Sequence, residues 1–241
     1  MKVIILAAGM GNRLKDVLKG KPKSLFEIKG KSLLEYSLEA LLKNGIDEVS
    51  IAVGFKSEQI RNKIGDNFRG IKILYNKNES YETTGSMHSL YKSLRKPEDC
   101  LVLDGDIIYD PKSLREILKC KEKDVVLLTN CRKSKDEVYV TLGNSKRIAY
   151  LGKQLPLSKK IFEFTGISKF SKNFVLHMIK LHREKMKKGE FEEYYEDCAY
   201  RANKIMPWYG LVKENLAWSE VDKKEDIKRA MRVLERLGSY S

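Results

Sequence analysis

An apolar run that ends in carboxylates has the residue types of a metal or phosphate site. Residues 100–103 read as a buried strand, and Asp104-Gly105-Asp106 follows directly. Carboxylates at the carboxyl end of a parallel strand lie at the edge where ligands of α/β proteins bind. Magnesium prefers one or two carboxylates together with phosphate oxygens. The pattern predicts a role at a phosphorylated ligand, and a turn with helix-capping aspartates is the alternative.

A glycine-rich turn after the first strand is a second candidate site. Residues 3–8 read as a buried strand that runs into Gly9-Met10-Gly11-Asn12-Arg13. Glycines let backbone N–H groups approach phosphate oxygens. Leu14 stands where a dinucleotide fingerprint needs a third glycine, and no Gly-Lys-Ser/Thr completes a P-loop. Arg13 and Lys23, which follows a proline at the end of this long loop, would neutralise charge during phosphoryl transfer.

The elements that must position these residues alternate between strand and helix patterns. Strands are predicted over 3–8, 48–53, 71–75, 100–103 and 125–128, with a helical apolar face at Leu34, Leu38, Leu41 and Leu42 and helices over 57–64, 86–94 and 111–118. Strands separated by helices indicate βαβ units. The expected fold class is α/β, a Rossmann-like, mainly parallel sheet flanked by helices.

The second half of the chain has a different texture. A hairpin is predicted from 137–142 and 147–151 about Gly143 and Asn144, followed by a strand over 162–168. Helices over 172–185 and 191–203, a strand over 216–221 and a helix over 224–237 complete the pattern. We therefore expect one domain, 1–241, with a nucleotide-binding core (1–130), an inserted β-hairpin and helical lid (131–215) and a final strand and helix (216–241).

Composition limits the class of protein. The chain has 241 residues, 42% hydrophobic residues and a net charge of +14. The basic residues are scattered, so a field that attracts phosphorylated ligands explains them without a nucleic-acid partner. No apolar run approaches the roughly 20 residues of a membrane span, and no signal-peptide pattern follows the start, which predicts a cytoplasmic protein without stable membrane association.

Neither cysteines nor histidines form a recognisable metal or redox motif. The four cysteines have no close pair, so zinc and disulfide sites are not expected. His88, His177 and His182 are scattered along the chain, which favours surface or core roles. The sequence predicts no redox chemistry.

The glycine loop also carries a resemblance to a known family. Leu6-Ala7-Ala8-Gly9-Met10-Gly11-Asn12-Arg13, with Pro22-Lys23 further on, resembles the LAAGxGxR…PK signature of the sugar-phosphate nucleotidyltransferases, which have a GT-A-like fold. The resemblance implies a nucleotide site at Leu6, Ala7, Ala8, Gly9, Gly11 and Asn12. It also implies that Arg13 and Lys23 bind the triphosphate and act catalytically, stabilising the transition state and the leaving pyrophosphate.

The same resemblance assigns the carboxylates. Asp106 matches the metal aspartate of the family, and Glu220-Val221-Asp222 with the acids after it resembles its late acidic pattern. The implied cofactor is Mg²⁺, held by Asp106 and Asp222, with Asp104 at the nucleotide; Asp222 as a helix N-cap is the alternative. Thr84, Gly85 and Ser86 match the residues beside the nucleobase and ribose, although a capping turn would explain them too.

A closer resemblance concerns the substrates. Residues 78–87, 103–110, 133–139, 166–168 and 195–197 are similar to bacterial phosphocholine and 2-aminoethylphosphonate cytidylyltransferases. This implies CTP and a small phosphorylated or phosphonylated acceptor. Inositol 1-phosphate also remains open, because high charge and few glutamines are a thermophile tendency. The implied acceptor residues are Asp136, Glu137, Tyr195 and Asp197, and the family often forms homodimers.

Two alternatives to this interpretation remain open at the level of sequence. The residues alone do not distinguish cytosine from uracil, so a sugar-1-phosphate uridylyl- or thymidylyltransferase is one alternative. A basic nucleotide- or nucleic-acid-binding module with an inactive transferase site is the other. The presence of Arg13, Lys23, Asp106 and Asp222 argues against inactivity.

Overall fold

The computed structural model describes residues 1–94, 96–132, 137–158 and 160–238. The strands are β1 Lys2–Ala7, β2 Glu27–Ile28, β3 Lys31–Ser32, β4 Glu48–Val53, β5 Asn67–Phe68, β6 Ile71–Lys77, β7 Cys100–Asp104, β8 Ile107–Tyr109, β9 Val125–Asn130, β10 Tyr139–Leu142, β11 Ile148–Gly152, β12 Phe162–Phe170, β13 Tyr209–Val212 and β14 Trp218–Glu220. The α-helices are α1 Lys15–Leu18, α2 Leu33–Leu42, α3 Ser57–Ile64, α4 Ser86–Ser93, α5 Pro111–Lys119, α6 Lys172–Lys187, α7 Tyr195–Ala202 and α8 Lys224–Gly238. Among these described helices, none is both long and apolar enough to cross a bilayer.

One ten-stranded sheet organises the chain. Its order is β11-β10-β12-β7-β1-β4-β6-β5, and β9 pairs with both β12 and β13. The strands β7, β1, β4 and β6 are parallel, whereas β12 runs antiparallel to β7, β9 and β10. The expected Rossmann-like sheet is therefore confirmed. Because β10 and β11 extend the same sheet, the division at residue 130 remains a functional prediction.

Helices cover both faces of the sheet because its strands are apolar on both faces. Val3 and Ile5 of β1 pack in one core with α2, α3 and α5, while Ile4 between them packs with α4, α6 and α7. Trp208 is fully buried in this second core beside the stacked rings of Phe170 and Phe174. Each such large side chain contributes about 1.5–3 kcal/mol by leaving water.

Several boundaries differ from the sequence predictions. The hairpin is present as β10 and β11, but the helix predicted from 191 begins only at Tyr195. The segment before it is not helical, and its carbonyls at Phe191 and Glu193 accept hydrogen bonds from the N–H groups of Gly85 and Met87. We call residues 190–194 the strap. The loop after β1 is also not wholly irregular, since it holds 3-10 turns at Asn12–Leu14 and Lys23–Leu25 around α1.

Strand pairing brings the distant acidic segments together. Leu6 of β1 lies opposite Asp104 of β7, so the glycine loop and the first carboxylates leave the sheet side by side. The strand predicted over 216–221 is only β14, which pairs with β8 outside the main sheet. The Val221 N–H donates to the Asp106 carbonyl at 2.9 Å. Residues 220–222 are thereby fixed next to Asp106.

Candidate active site

A cavity of about 580 Å³ opens at the carboxyl ends of β1 and β7. Every residue predicted to bind the nucleotide lies in its wall: Leu6, Ala7, Ala8, Gly9, Gly11, Asn12, Arg13, Lys23, Thr84, Gly85, Ser86, Asp104 and Asp106. Asp222 and Glu137 line it as well. The structure therefore gathers the glycine loop, both predicted metal carboxylates and the start of α4 around one space.

Gly11 fixes the course of the phosphate-loop candidate. It has φ 66°, a left-handed conformation that side chains disfavour. A Cβ there would lie 2.9 Å from both Leu18 Cδ1 and Lys23 Cβ. The turn thus packs directly against Lys23. Leu14, which follows the turn in sequence, is buried. Only a glycine lets the loop approach Lys23 this closely.

Three carboxylates form a cluster at one end of the cavity. One oxygen each from Asp106, Glu220 and Asp222 lies within 4.8 Å of the others. This is the one such acidic, histidine or cysteine group among the described residues. The sequence analysis did not predict Glu220 as a member of the cluster. Positions two apart on a strand face the same side, so the spacing of Glu220 and Asp222 could have indicated it.

Two cations occupy the same cluster. Lys23 Nζ lies 2.5 Å from Asp106 Oδ2 and 2.5 Å from Asp222 Oδ1. Arg13 Nη1 lies 2.5 Å from Asp222 Oδ2. The Asp222 carboxylate pairs with both cations, and Asp226 accepts hydrogen bonds from the N–H groups of Asp222 and Lys223. Asp106 and Asp222 are thus held by charge pairing, and each could exchange its cation for another.

Burial and repulsion raise the pKa of two carboxyl groups at the cavity, those of Glu220 and Asp104. Burial, together with the nearby charge of Asp106, raises the pKa of Glu220 to about 8. Burial and then Asp106 also raise the pKa of Asp104. Burial works to lower the pKa of Lys23, but the charges of Asp106 and Asp222 outweigh it and raise this pKa. Burial is therefore the main cause of the raised pKa of Glu220, and the charge of Asp106 adds to it.

A bulge in β12 makes room for Asp104. The pairing of β12 with β9 shifts register between Phe164 and Ser168, and Gly166 within the bulge has φ 76°. A Cβ on Gly166 would overlap the Asp104 carboxylate. The Asp104 carboxylate therefore packs against the backbone of Gly166. Both residues line the cavity.

Substituting Gly166 by alanine should disturb both stability and the site. The left-handed backbone and the overlap with Asp104 are expected to lower the free energy of unfolding by about 1–3 kcal/mol, measured by urea denaturation. Gly143→Ala is the matched control, since its φ is −91° and its Cβ would meet Ala149 Cβ at an ordinary 3.6 Å. Equal losses for the two variants would contradict the role given to the bulge.

The start of α4 connects the cavity to the strap. Gly85 N–H donates to the Phe191 carbonyl at 2.9 Å, and Ser86 Oγ accepts from the Tyr195 N–H at 2.9 Å. Thr84 Oγ1 accepts from Asn78 Nδ2 at 2.9 Å. All three residues line the cavity, while Gly85 also binds the strap and Ser86 binds the first residue of α7.

Only some of the predicted acceptor residues line the cavity. Glu137 lines the cavity, but the Tyr195 ring is fully buried against Phe164, and Asp197 lies outside the cavity wall on an exposed surface. Asp136 falls outside the described residues. The neighbouring Tyr194 and Glu196 line the cavity instead. Tyr195 is the first residue of α7, and its ring belongs to the core that α7 forms with α4 and α6.

The wall around Tyr194 and Glu196 is acidic and aromatic. Lys153 Nζ lies 5.5 Å from the centroid of the Tyr194 ring. Burial raises the pKa of Glu196 to about 7. Buried Glu163 is neutralised by Arg132, whose guanidinium also lies 5.0 Å from the Trp218 ring centroid. This end of the cavity can therefore receive a group that is cationic or rich in hydrogen-bond donors.

Two histidines that are distant in sequence are neighbours in the structure. His88 Nδ1 and His182 Nε2 are 3.2 Å apart between α4 and α6, and both side chains are buried. His182 Nδ1 lies 3.6 Å from Glu193 Oε2 on the strap. Burial lowers the pKa of His88. Of the surface or core roles expected for the histidines, His88 and His182 have core positions. Nothing in the sequence indicated that these two residues are neighbours.

A mainly parallel sheet with a glycine loop and carboxylates at its strand ends defines the nucleotidyltransferase type of α/β protein. The chain belongs to the family with a MobA-like NTP transferase domain, which matches residues 3–161. The resemblance drawn from the sequence signature is confirmed.

Individual relatives differ in how much they share with the chain. The choline-phosphate cytidylyltransferase of Streptococcus pneumoniae is 25% identical over 236 residues, covering 98% of this chain and 99% of that protein. A D-glycero-α-D-manno-heptose 1-phosphate guanylyltransferase of Campylobacter jejuni is 40% identical over 111 residues, 46% of this chain and 49% of that protein. The chain thus matches about half the length of that guanylyltransferase.

A solved structure extends the fold comparison. The inositol-1-phosphate CTP transferase of T. maritima superposes with a TM-score of 0.75 at 20% identity, covering 97% of this chain and 96% of that one. At this identity the likeness concerns the fold. Because it covers 97% of this chain, it is not confined to the part that the family model matches.

Proposed function

We propose that this protein transfers CMP from CTP to a small phosphomonoester or phosphonate and releases pyrophosphate. The observation that carries the proposal is the convergence of the glycine loop, Arg13, Lys23 and the three carboxylates on one cavity. CTP is favoured because a relative that matches nearly the whole chain is named a choline-phosphate cytidylyltransferase. The guanylyltransferase match has a higher identity, but it covers only 46% of this chain.

In the proposed reaction an acceptor oxygen attacks the α-phosphorus of CTP in line with the leaving pyrophosphate. The chain's contribution is to bind and orient both anions so that they meet in this geometry. Backbone N–H groups of the glycine loop and the cations of Arg13 and Lys23 neutralise the negative charge that collects on the leaving oxygens. No side chain needs to form a covalent intermediate. Asp104 and the residues Thr84–Ser86 orient the nucleoside.

The residues at the carboxylate cluster fit a magnesium ion. Asp106, Glu220 and Asp222 supply hard oxygen donors within 4.8 Å of one another, which suits the preference of Mg²⁺ for carboxylate oxygens. We propose that Asp106 and Asp222 hold the ion, with Glu220 beside them. Bound there, magnesium would reduce the repulsion between two phosphate groups.

We propose that the acceptor is recognised at the wall formed by Glu137, Tyr194 and Glu196. The ammonium of Lys153 already lies against the Tyr194 ring, in the arrangement that a cationic head group would adopt. Among the acceptors considered, phosphocholine and 2-aminoethylphosphonate carry such a group. Inositol 1-phosphate would use the same carboxylates as hydrogen-bond acceptors.

The role of Glu196 predicts a pH-dependent affinity for cations. Below about pH 7 its carboxyl is protonated, and above it the charged form attracts an ammonium. Inhibition by choline, which does not titrate, should strengthen as pH rises through 7. Glu196→Gln should remove that dependence and raise the acceptor KM about tenfold, with the KM for CTP nearly unchanged.

Glu190→Gln provides the matched control for Glu196→Gln. Glu190 is an exposed carboxylate of the strap that does not line the cavity, so its loss should leave both the acceptor KM and choline inhibition as they are. A native pH profile in Glu196→Gln would show that the acceptor lies elsewhere.

Pyrophosphate release tests the proposed function directly. The protein would be assayed with CTP, UTP, dTTP and GTP, each against phosphocholine, 2-aminoethylphosphonate, inositol 1-phosphate and a sugar 1-phosphate. We expect release with CTP to exceed that with the other nucleotides for at least one acceptor. Preference for UTP or dTTP with a sugar 1-phosphate would replace the proposal by a sugar-nucleotide synthesis, and absence of release throughout would contradict transfer.

A further inference from the structure

Lys23 lies in the space that a metal ion would need. Its ammonium is 2.5 Å from Asp106 Oδ2 and 2.5 Å from Asp222 Oδ1. The oxygens of Asp106, Glu220 and Asp222 are within 4.8 Å of one another, and Mg²⁺ binds its oxygen ligands at about 2.0–2.1 Å. An ion held by these oxygens would therefore meet the lysine ammonium at close range. The two cations cannot share the cluster in this arrangement.

The alternative place for Lys23 is the triphosphate side of the cavity. Its side chain is only 13% exposed, and its Cβ packs beneath Gly11 of the glycine loop. The four-carbon stem of lysine pivots about that fixed point without moving the backbone. If the ammonium leaves the carboxylates without a new anionic partner, a charge in a largely buried position is left uncompensated, which is costly.

From this geometry we infer that Lys23 is an internal cation of the acidic cluster, which the metal displaces toward the triphosphate, so that metal and nucleotide bind cooperatively. The inference rests on the proposed function, since it takes the cluster as a metal site. Metal alone must force the ammonium out of its ion pairs, whereas metal arriving with a triphosphate gives that ammonium a new partner. By linkage, the metal must favour the nucleotide as much as the nucleotide favours the metal.

The displacement has a consequence that does not involve activity. Without nucleotide, replacing Lys23 by methionine should tighten metal binding, because the carboxylates lose their internal competitor. Mn²⁺ serves as the probe, as it binds the same carboxylate and water ligands, and its free form is measured by electron paramagnetic resonance. We expect a dissociation constant at least about tenfold lower for Lys23→Met than for the native chain.

Two further variants separate charge from other effects. Lys23→Arg keeps a cation at the cluster and should bind Mn²⁺ within about twofold of the native chain. Lys21→Met removes the same charge from an exposed position in the same loop and should also be native-like. Equal affinities of the native chain and Lys23→Met for Mn²⁺ would overturn the inference and leave the proposed metal site standing. Absence of Mn²⁺ binding in all variants would overturn both.

A measurement on the native chain avoids the question of whether Lys23→Met folds. Amine-reactive labelling read by mass spectrometry reports how free each lysine is. Labelling of Lys23 should be slow without metal, increase severalfold with saturating Mg²⁺ alone, and fall again when CTP is added with Mg²⁺; Lys21 should not respond. Labelling of Lys23 that is unchanged or reduced by Mg²⁺ alone would contradict displacement.

Discussion

Replacing Asp106 or Asp222 by asparagine is expected to lower the rate of nucleotidyl transfer by about a thousandfold. Each carboxylate belongs to the cluster that would hold the metal, and losing several kcal/mol of charge stabilisation in the transition state corresponds to a loss of this size. The measurement is kcat/KM for CTP from pyrophosphate release. Asparagine keeps the shape of the side chain, so the fold should be retained.

Asp16→Asn is the control for these two variants. Asp16 is an exposed carboxylate in α1, next to the same loop but outside the cavity wall. We expect it to leave turnover and the unfolding transition essentially unchanged. Full activity in either Asp106→Asn or Asp222→Asn, with a native circular dichroism spectrum, would refute the metal assignment.

The second large effect is expected for Lys23→Ala. In the proposed reaction this ammonium neutralises charge on the leaving phosphates, so its loss should lower kcat by about 10²–10³-fold and change the acceptor KM little. Lys21→Ala in the same loop should behave as the native protein. If the variant kept its kcat and lost only acceptor affinity, Lys23 would have to be reassigned to the acceptor.

The effects expected for Lys23 in binding and in catalysis have opposite signs. Removing it should strengthen metal binding without nucleotide, yet it should weaken turnover. A residue needed only to keep the site folded would weaken both. The combination therefore distinguishes a displaced catalytic cation from a structural ion pair.

Much of the nucleotide site could be predicted because its signals are local. Gly9 and Gly11 follow a buried strand, and Asp104 and Asp106 follow another, so their positions in the sheet follow from strand order alone. The parallel pairing of β1 with β7 then brings them together. Glu220 could have been found by the same reasoning, since it lies two positions before Asp222.

The acceptor side could not be predicted to the residue. Whether Tyr195 or Tyr194 faces the cavity depends on where α7 begins, and that is set by hydrogen bonds between the strap and the start of α4. Tyr194 lines the cavity, whereas Tyr195, the next residue in sequence, is buried. The pairing of His88 with His182 likewise arises from the packing of α4 against α6, which no spacing in the chain encodes.

The sequence by itself determined the α/β class, the glycine loop and the carboxylates that end its strands, because backbone preference and apolar periodicity act over a few residues. Tertiary structure alone decided that Lys23 lies between Asp106 and Asp222 and that Glu196 rather than Tyr195 reaches the cavity. These relations depend on long-range pairing and on the phase of a helix. Both are set only when separate segments pack together.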